Sequence, residues 1–131
     1  MARKYEQLKV WQAAIELVDG IYSSTRLFPQ EERYGLKSQM QRAAVSIASN
    51  IAEGYGRGSD AEFARFLCIA RGSLFELETQ ITIAERQNYI SRNALSQKVD
   101  KVYALLAALI RRIGNDQNQK ASGVRLPASD A

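Results

Sequence analysis

Residues 36–58 read Leu-Lys-Ser-Gln-Met-Gln-Arg-Ala-Ala-Val-Ser-Ile-Ala-Ser-Asn-Ile-Ala-Glu-Gly-Tyr-Gly-Arg-Gly. Leu36, Met40, Ala43, Ala44, Ile47 and Ile51 recur at steps of three and four, which marks one apolar stripe of a helix. The opposite side carries Arg42, Ser46, Ser49, Asn50 and Glu53, and the glycines from Gly54 to Gly58 suit a C-terminal turn. Ser59-Asp60-Ala61-Glu62 follows as a capping box. It opens a second stripe of Phe63, Phe66, Leu67, Ala70, Leu74, Leu77, Ile81 and Ala84. Two long amphipathic helices joined by a short turn set the architecture for the rest of the chain.

Upstream, Leu8, Trp11, Ile15, Val18 and Tyr22 form a stripe that stops at Phe28-Pro29, because a residue before proline leaves the helical region. Glu31 and Glu32 fall in the first turn of the next helix, where the dipole favours acids. Downstream, Leu95, Val99, Val102, Leu106, Leu109 and Ile113 form a fourth stripe, with Ser91 as its cap and Gly114-Asn115 as its end. The pattern predicts an all-α, antiparallel up-and-down four-helix bundle. It occupies residues 1–114, with helices over about 7–26, 30–55, 60–87 and 92–113. Residues 115–131 carry no stripe and are predicted to be a disordered polar tail.

Composition narrows the function classes. The 131 residues include one cysteine, Cys68, and no histidine, which removes an internal disulfide and the usual zinc ligand sets. No metal or cofactor is expected. No apolar run approaches the roughly 18 residues that span a bilayer, and the polar start Met-Ala-Arg-Lys-Tyr-Glu lacks a signal region, so no membrane association and a cytoplasmic location are expected. Without histidine for proton transfer, and with an arginine available to each acid of the second and third helices, a catalytic carboxylate set is not expected. The chain reads as a non-enzyme.

Charge is uneven. Residues 86–131 carry eight bases against three acids, whereas residues 29–85 carry six against eight. Such an excess suits a polyanion, since neutralised phosphates release counterions; a solvated face that aids solubility is the alternative. The candidate nucleic-acid contacts are Arg57, Arg92, Lys98, Lys101, Arg111 and Arg112, with Tyr55 beside Arg57 as a stacking surface. Lys98, Lys101 and Arg112 share one side of the fourth helix. The loop Gly54–Gly58 is neither a Walker loop nor a dinucleotide fingerprint, and a plain helix-to-helix turn is the simpler reading.

The spacing of Arg42, Ser46, Asn50 and Glu53 stacks them on one side of the second helix. Facing residues of an antiparallel third helix are Arg65, Ser73, Glu76 and Glu78. The expected network has Asn50 bonding across the seam, Arg42 reaching Glu76 or Glu78, and Glu53 reaching Arg65. Trp11 and Cys68 are expected to pack as apolar residues. Phe75 and Cys68 on the third helix, and Tyr103, Leu105 and Ile110 on the fourth, widen the apolar arcs. Either the core-facing arc is broad or further chains cover it.

Four strings carry a resemblance to a family: Leu8–Gln12, Phe28–Leu36, Gln41–Arg57 and Ala70–Gln80. Asn50-Ile51-Ala52-Glu53-Gly54 and Gly72-Ser73-Leu74-Phe75-Glu76-Leu77 are the most specific parts. The chain resembles, from about residue 5 to residue 113, the four-helix-bundle proteins encoded within intervening sequences of bacterial 23S ribosomal RNA genes. The resemblance implies a ring-like homopentamer. A similar bundle, the accessory protein of diversity-generating retroelements, is a basic pentamer that binds nucleic acid and a reverse transcriptase. By that analogy the chain is expected to associate with RNA or DNA; the alternative is a ring that docks a protein partner. Ala48 stands where the family often has proline, so helix two is expected to be straighter here.

Overall fold

The computed structural model describes residues 4–122. Among them lie four α-helices and no strand: α1 Lys9–Thr25, α2 Leu36–Tyr55, α3 Asp60–Arg86 and α4 Ser96–Ser122. Short 3-10 turns at Lys4–Gln7, Gln30–Glu32 and Arg92–Ala94 precede α1, α2 and α4. Each helix packs against the next and α1 closes on α4, with the most extensive contact between α2 and α3. The fully buried side chains Leu17, Ile21, Met40, Ile47, Ile51, Leu67, Leu74, Leu77, Val102 and Leu106 come from all four helices and form one core. The four stripes predict this core because each places its apolar residues on one side of a 3.6-residue turn.

The start of α3 follows from its capping residues. Ser59 has extended backbone and its Oγ accepts the Glu62 amide at 3.2 Å. The reciprocal half of the box is absent, because the Glu62 carboxylate is drawn to Arg65 Nε at 2.8 Å.

Three boundaries differ from expectation. Glu31 and Glu32 do not enter α2; they form the separate turn, and Glu32 Oε1 accepts the Leu36 amide at 3.2 Å, which caps α2 from outside. Ser91 makes no side-chain cap, and α4 begins at Ser96. The carboxylate of Glu85 takes its place, accepting both the Arg92 amide and Arg92 Nε at 3.3 Å. At its far end α4 runs on through Ser122 where an end at Gly114 was expected. Glycine there lowers helix propensity by about 1 kcal/mol, yet Gly114 does not turn left-handed and no proline follows until Pro127. The expected tail is therefore helical as far as Ser122, and the remainder of it lies outside the described residues.

Two glycines between α2 and α3 have different tasks. Gly58, at φ +83°, makes the left-handed turn. Gly54 is buried inside α2, and a Cβ there would lie 2.4 Å from Phe66 Cβ. It sets how closely α2 and α3 approach. Helix α2 is continuous through Ala48, which is buried.

The α1–α2 and α3–α4 connections meet at one end of the bundle. The Phe28 and Tyr89 rings lie 5.3 Å apart, and Tyr89 Oη donates to Glu32 Oε2 at 3.1 Å. Burial first, and then the Glu32 carboxylate, raise the Tyr89 hydroxyl above its ordinary pKa.

Candidate functional site

The polar side of α2 meets α3 along the seam that Gly54 keeps tight. Ser46 Oγ and Ser73 Oγ are 2.9 Å apart across it. Asn50 Nδ2 donates to the Ser46 carbonyl at 2.8 Å and to Ser46 Oγ at 3.0 Å. Ser46 Oγ accepts from Asn50 while sharing a hydrogen bond with Ser73 Oγ, in which either hydroxyl can donate. The crossing is thus made by two hydroxyls, not by Asn50, whose amide folds back on its own helix. Asn50 is satisfied locally because a residue four positions back presents both a carbonyl and a hydroxyl.

The charged members of the expected network stay outside this seam. Arg42 and Glu76 are exposed and line one open groove of about 460 Å³ with Gln39, Ala43 and Ser46, but they form no ion pair, and neither do Arg42 and Glu78. Glu53 does not reach Arg65. It pairs with Arg57 one turn later, at 3.1 Å, while Arg65 pairs with Glu62. That hydrogen bond lowers the Glu62 pKa and raises that of Arg65. Local i,i+3 and i,i+4 pairs win because they keep both charges in water, whereas a buried cross-seam pair carries a desolvation penalty of several kcal/mol per ion.

The basic candidates separate into groups. Arg57 is occupied twice, by Glu53 and by the Phe66 ring 4.9 Å from its guanidinium carbon. Arg65 lies 4.7 Å from the same ring. Tyr55 is half-buried, with its ring perpendicular to that of Phe63 at 5.7 Å between centres. Arg92 is bound to Glu85 and also donates to Thr82 Oγ1.

On α4, Lys101 lies 3.8 Å from Glu16, and the Lys98 stem covers Gly20 of α1. Arg112 lines a groove of about 250 Å³ with Lys9 of α1 and with Leu8, which precedes that helix. Lys98, Lys101 and Arg112 therefore do share the α1 flank, with Lys98 and Arg112 about 21 Å apart along the axis. Arg111 and Arg112 are exposed and carry no ion pair among the described residues. The chain does not gather its seven basic and aromatic candidates into one patch.

Sequence reasoning missed a second basic and aromatic surface. At the joined loops, Leu27 and Tyr34 are 93% and 87% exposed, and the Arg33 guanidinium carbon lies 5.7 Å from the centre of the Tyr34 ring. The signal was available: Tyr34 is an aromatic residue off every helical stripe, held between Arg33 and Gly35.

The outer face of α3 is less polar than its position suggests. Ile69, Phe75 and Ile83 are exposed, and Phe75 lies 6.1 Å from the exposed ring of Tyr103 on α4. Leu105 and Ile110 are instead half-buried against the core. Cys68 does not pack; it is exposed on the same side as Phe75, seven residues away. Trp11 is half-buried, edge-on to Tyr5 at 5.4 Å. Among the described residues no cluster of acids and cysteine suits a metal, and no helix is long and apolar enough to cross a membrane.

Comparison with known proteins places this geometry. Residues 6–111 match the family model described as 23S rRNA-intervening sequence protein. A crystal structure of a protein of unknown function of the S23 ribosomal protein family from Bacteroides thetaiotaomicron is similar, with a TM-score of 0.66 and 25% identity. The match covers 79% of this chain and 97% of that one. No curated protein matches the chain.

Proposed function

Given that the chain belongs to the 23S rRNA-intervening sequence protein family, we propose that it is a non-enzymatic, oligomeric helical protein of the cytoplasm that associates with nucleic acid through basic surface side chains. The observation that carries this reading is the state of Arg111 and Arg112, which are exposed on α4 without an acidic partner among the described residues. They lie in the stretch where bases outnumber acids eight to three. Lys9 extends the charge across the groove beside Arg112. These side chains neutralise phosphates and read no bases. Arg57, Arg92 and Lys101, already paired with acids, contribute less.

Assembly through the apolar strip of Phe75, Ile83 and Tyr103 accompanies this role. Five identical chains in a ring would cover that strip and repeat the basic surface, which raises affinity for a long polyanion without a new contact. The exposure of the same strip also favours the second reading, a ring that docks a protein partner and uses its charge for solubility alone.

A titration of the chain against a structured RNA at two salt concentrations tests the first reading. Binding is expected to weaken steeply with salt, and the joint change of Arg111→Ala and Arg112→Ala to reduce the salt slope by about one to two. Binding that is absent, or indifferent to salt, rejects it. Recovery of a protein partner that survives nuclease treatment would then favour the second reading.

A further inference from the structure

The joined loops carry exposed groups that the bundle itself does not use. Tyr34 precedes α2 by two residues and leaves most of its ring to solvent, while Arg33 sits over that ring. The last turn of α1 is followed by Arg26, which is exposed, and Arg86 ends α3 at the same end, also exposed; neither has an ion-pair partner among the described residues. Two of the three acids nearby are occupied. Glu32 is held by the Leu36 amide and Tyr89, and Glu85 by Arg92. Glu85 is neutralised by Arg92, whereas Glu32 keeps its charge because its partners are neutral, so Glu31 and Glu32 stand against Arg26, Arg33 and Arg86 and leave a positive surplus of one. The support beneath is rigid, since Phe28 against Tyr89 and the Tyr89–Glu32 hydrogen bond tie the two loops together.

We infer that this end of the bundle is a second nucleic-acid contact, in which Tyr34 stacks on an unpaired base and Arg33, Arg26 and Arg86 neutralise the flanking phosphates. The inference rests on the nucleic-acid reading above and adds the form of the ligand. A protruding aromatic ring is of little use against a duplex, whose bases already stack on one another. It suits a single strand, where base–aromatic stacking is sequence-tolerant and a guanidinium beside the ring adds to it. The end opposite, with Arg111, Arg112 and Lys9, offers charge without an exposed ring and makes no such distinction.

A membrane surface is the competing partner, since Leu27 is also exposed. One leucine and one tyrosine bury too little to hold a protein on a bilayer, where even a single long acyl chain gives marginal binding.

Labelled oligouridylate, the matching oligothymidylate and a duplex RNA of equal length serve as probes, with anionic phosphatidylserine vesicles as a fourth arm. Tyr34→Ala is expected to weaken binding to the single strands by roughly tenfold or more while leaving the duplex unaffected. Tyr34→Phe is expected to keep the single-strand affinity. Because the ring is exposed, neither variant is expected to alter the melting temperature, which serves as the folding control. Tyr34→Ala binding oligouridylate and oligothymidylate within twofold of the parent overturns the inference. So does equal loss on the duplex, which would mean a generic electrostatic effect. Vesicle binding that Leu27→Asp abolishes, with no nucleic-acid effect of Tyr34→Ala, assigns the surface to lipid instead. Duplex binding that depends on Arg111 and Arg112 but not on Tyr34 leaves the parent reading standing without this one, and a parent chain that binds no nucleic acid removes both.

Discussion

The Tyr89 hydroxyl donates to one oxygen of the Glu32 carboxylate, and the other oxygen of that carboxylate caps α2 at the Leu36 amide. A single carboxylate therefore starts one helix and fastens the loop between two others. The hydroxyl is held above its usual pKa of 10.0, first by burial and then by Glu32. The unfolded chain consequently releases this proton at lower pH than the folded one. The associated stability is fully present below about pH 10 and is lost as pH rises through the folded value. Urea midpoints from neutral pH to about pH 11 are expected to fall more steeply in the parent than in Tyr89→Phe, which is less stable at neutral pH but flatter. Parallel pH profiles would contradict this.

Gly54→Ala and Gly72→Ala are expected to act in opposite directions. At Gly54 the new Cβ meets Phe66 Cβ at 2.4 Å. Every residue except glycine carries that atom at position 66, so only a movement of α2 from α3 relieves the contact. Overpacking of this kind costs about 1–3 kcal/mol, more than the helix propensity gained. At Gly72 a Cβ meets nothing within 4 Å, and Ala is expected to add about 0.5–1 kcal/mol. Chemical denaturation of the two variants side by side checks the sign of each.

The seam hydroxyls are expected to couple. Ser73→Ala removes one hydrogen bond and is expected to cost about 1 kcal/mol; Ser46→Ala removes a partner from both Ser73 and Asn50 and is expected to cost more. A double-mutant cycle between Ser46 and Ser73 is expected to give a coupling of about 0.5 kcal/mol or greater. Strict additivity would show that the two hydroxyls are each satisfied by water.

Phe75→Glu and Tyr103→Glu place charge on the exposed pair of rings. If chains assemble through this face, the native mass falls toward one chain in both variants while helical content is kept. An unchanged mass would show that the rings take no part in assembly.

Most of the bundle is legible because helical stripes are periodic and the core needs no other information. The turn at Ser59 is legible for a similar reason, since a cap depends on residues three apart. What escaped depends on residues far apart in the chain. Glu32 and Glu85 replace the expected local caps only because the fold brings them to Leu36 and Arg92. The buried Thr25 is another example: its hydroxyl donates to the Ile21 carbonyl at 2.8 Å and accepts from Gln41 Nε2 on α2.

The basic residues were identifiable one by one, but not which were already engaged. Arg57 and Glu53 are four apart and were open to pairing on sight, whereas the cation–π contact with Phe66 requires the α2–α3 turn. Tyr34 was overlooked because a stripe-based reading attends to residues that face the core.

The single thiol of the chain, Cys68, stands exposed on the outside of α3. Nature has thus supplied a one-per-chain reporter on the same side of α3 as Phe75, about two helical turns away. An aromatic disulfide reagent added to dilute and concentrated samples converts crowding of that face into a rate: free chains colour quickly, and chains leaning on one another there colour slowly.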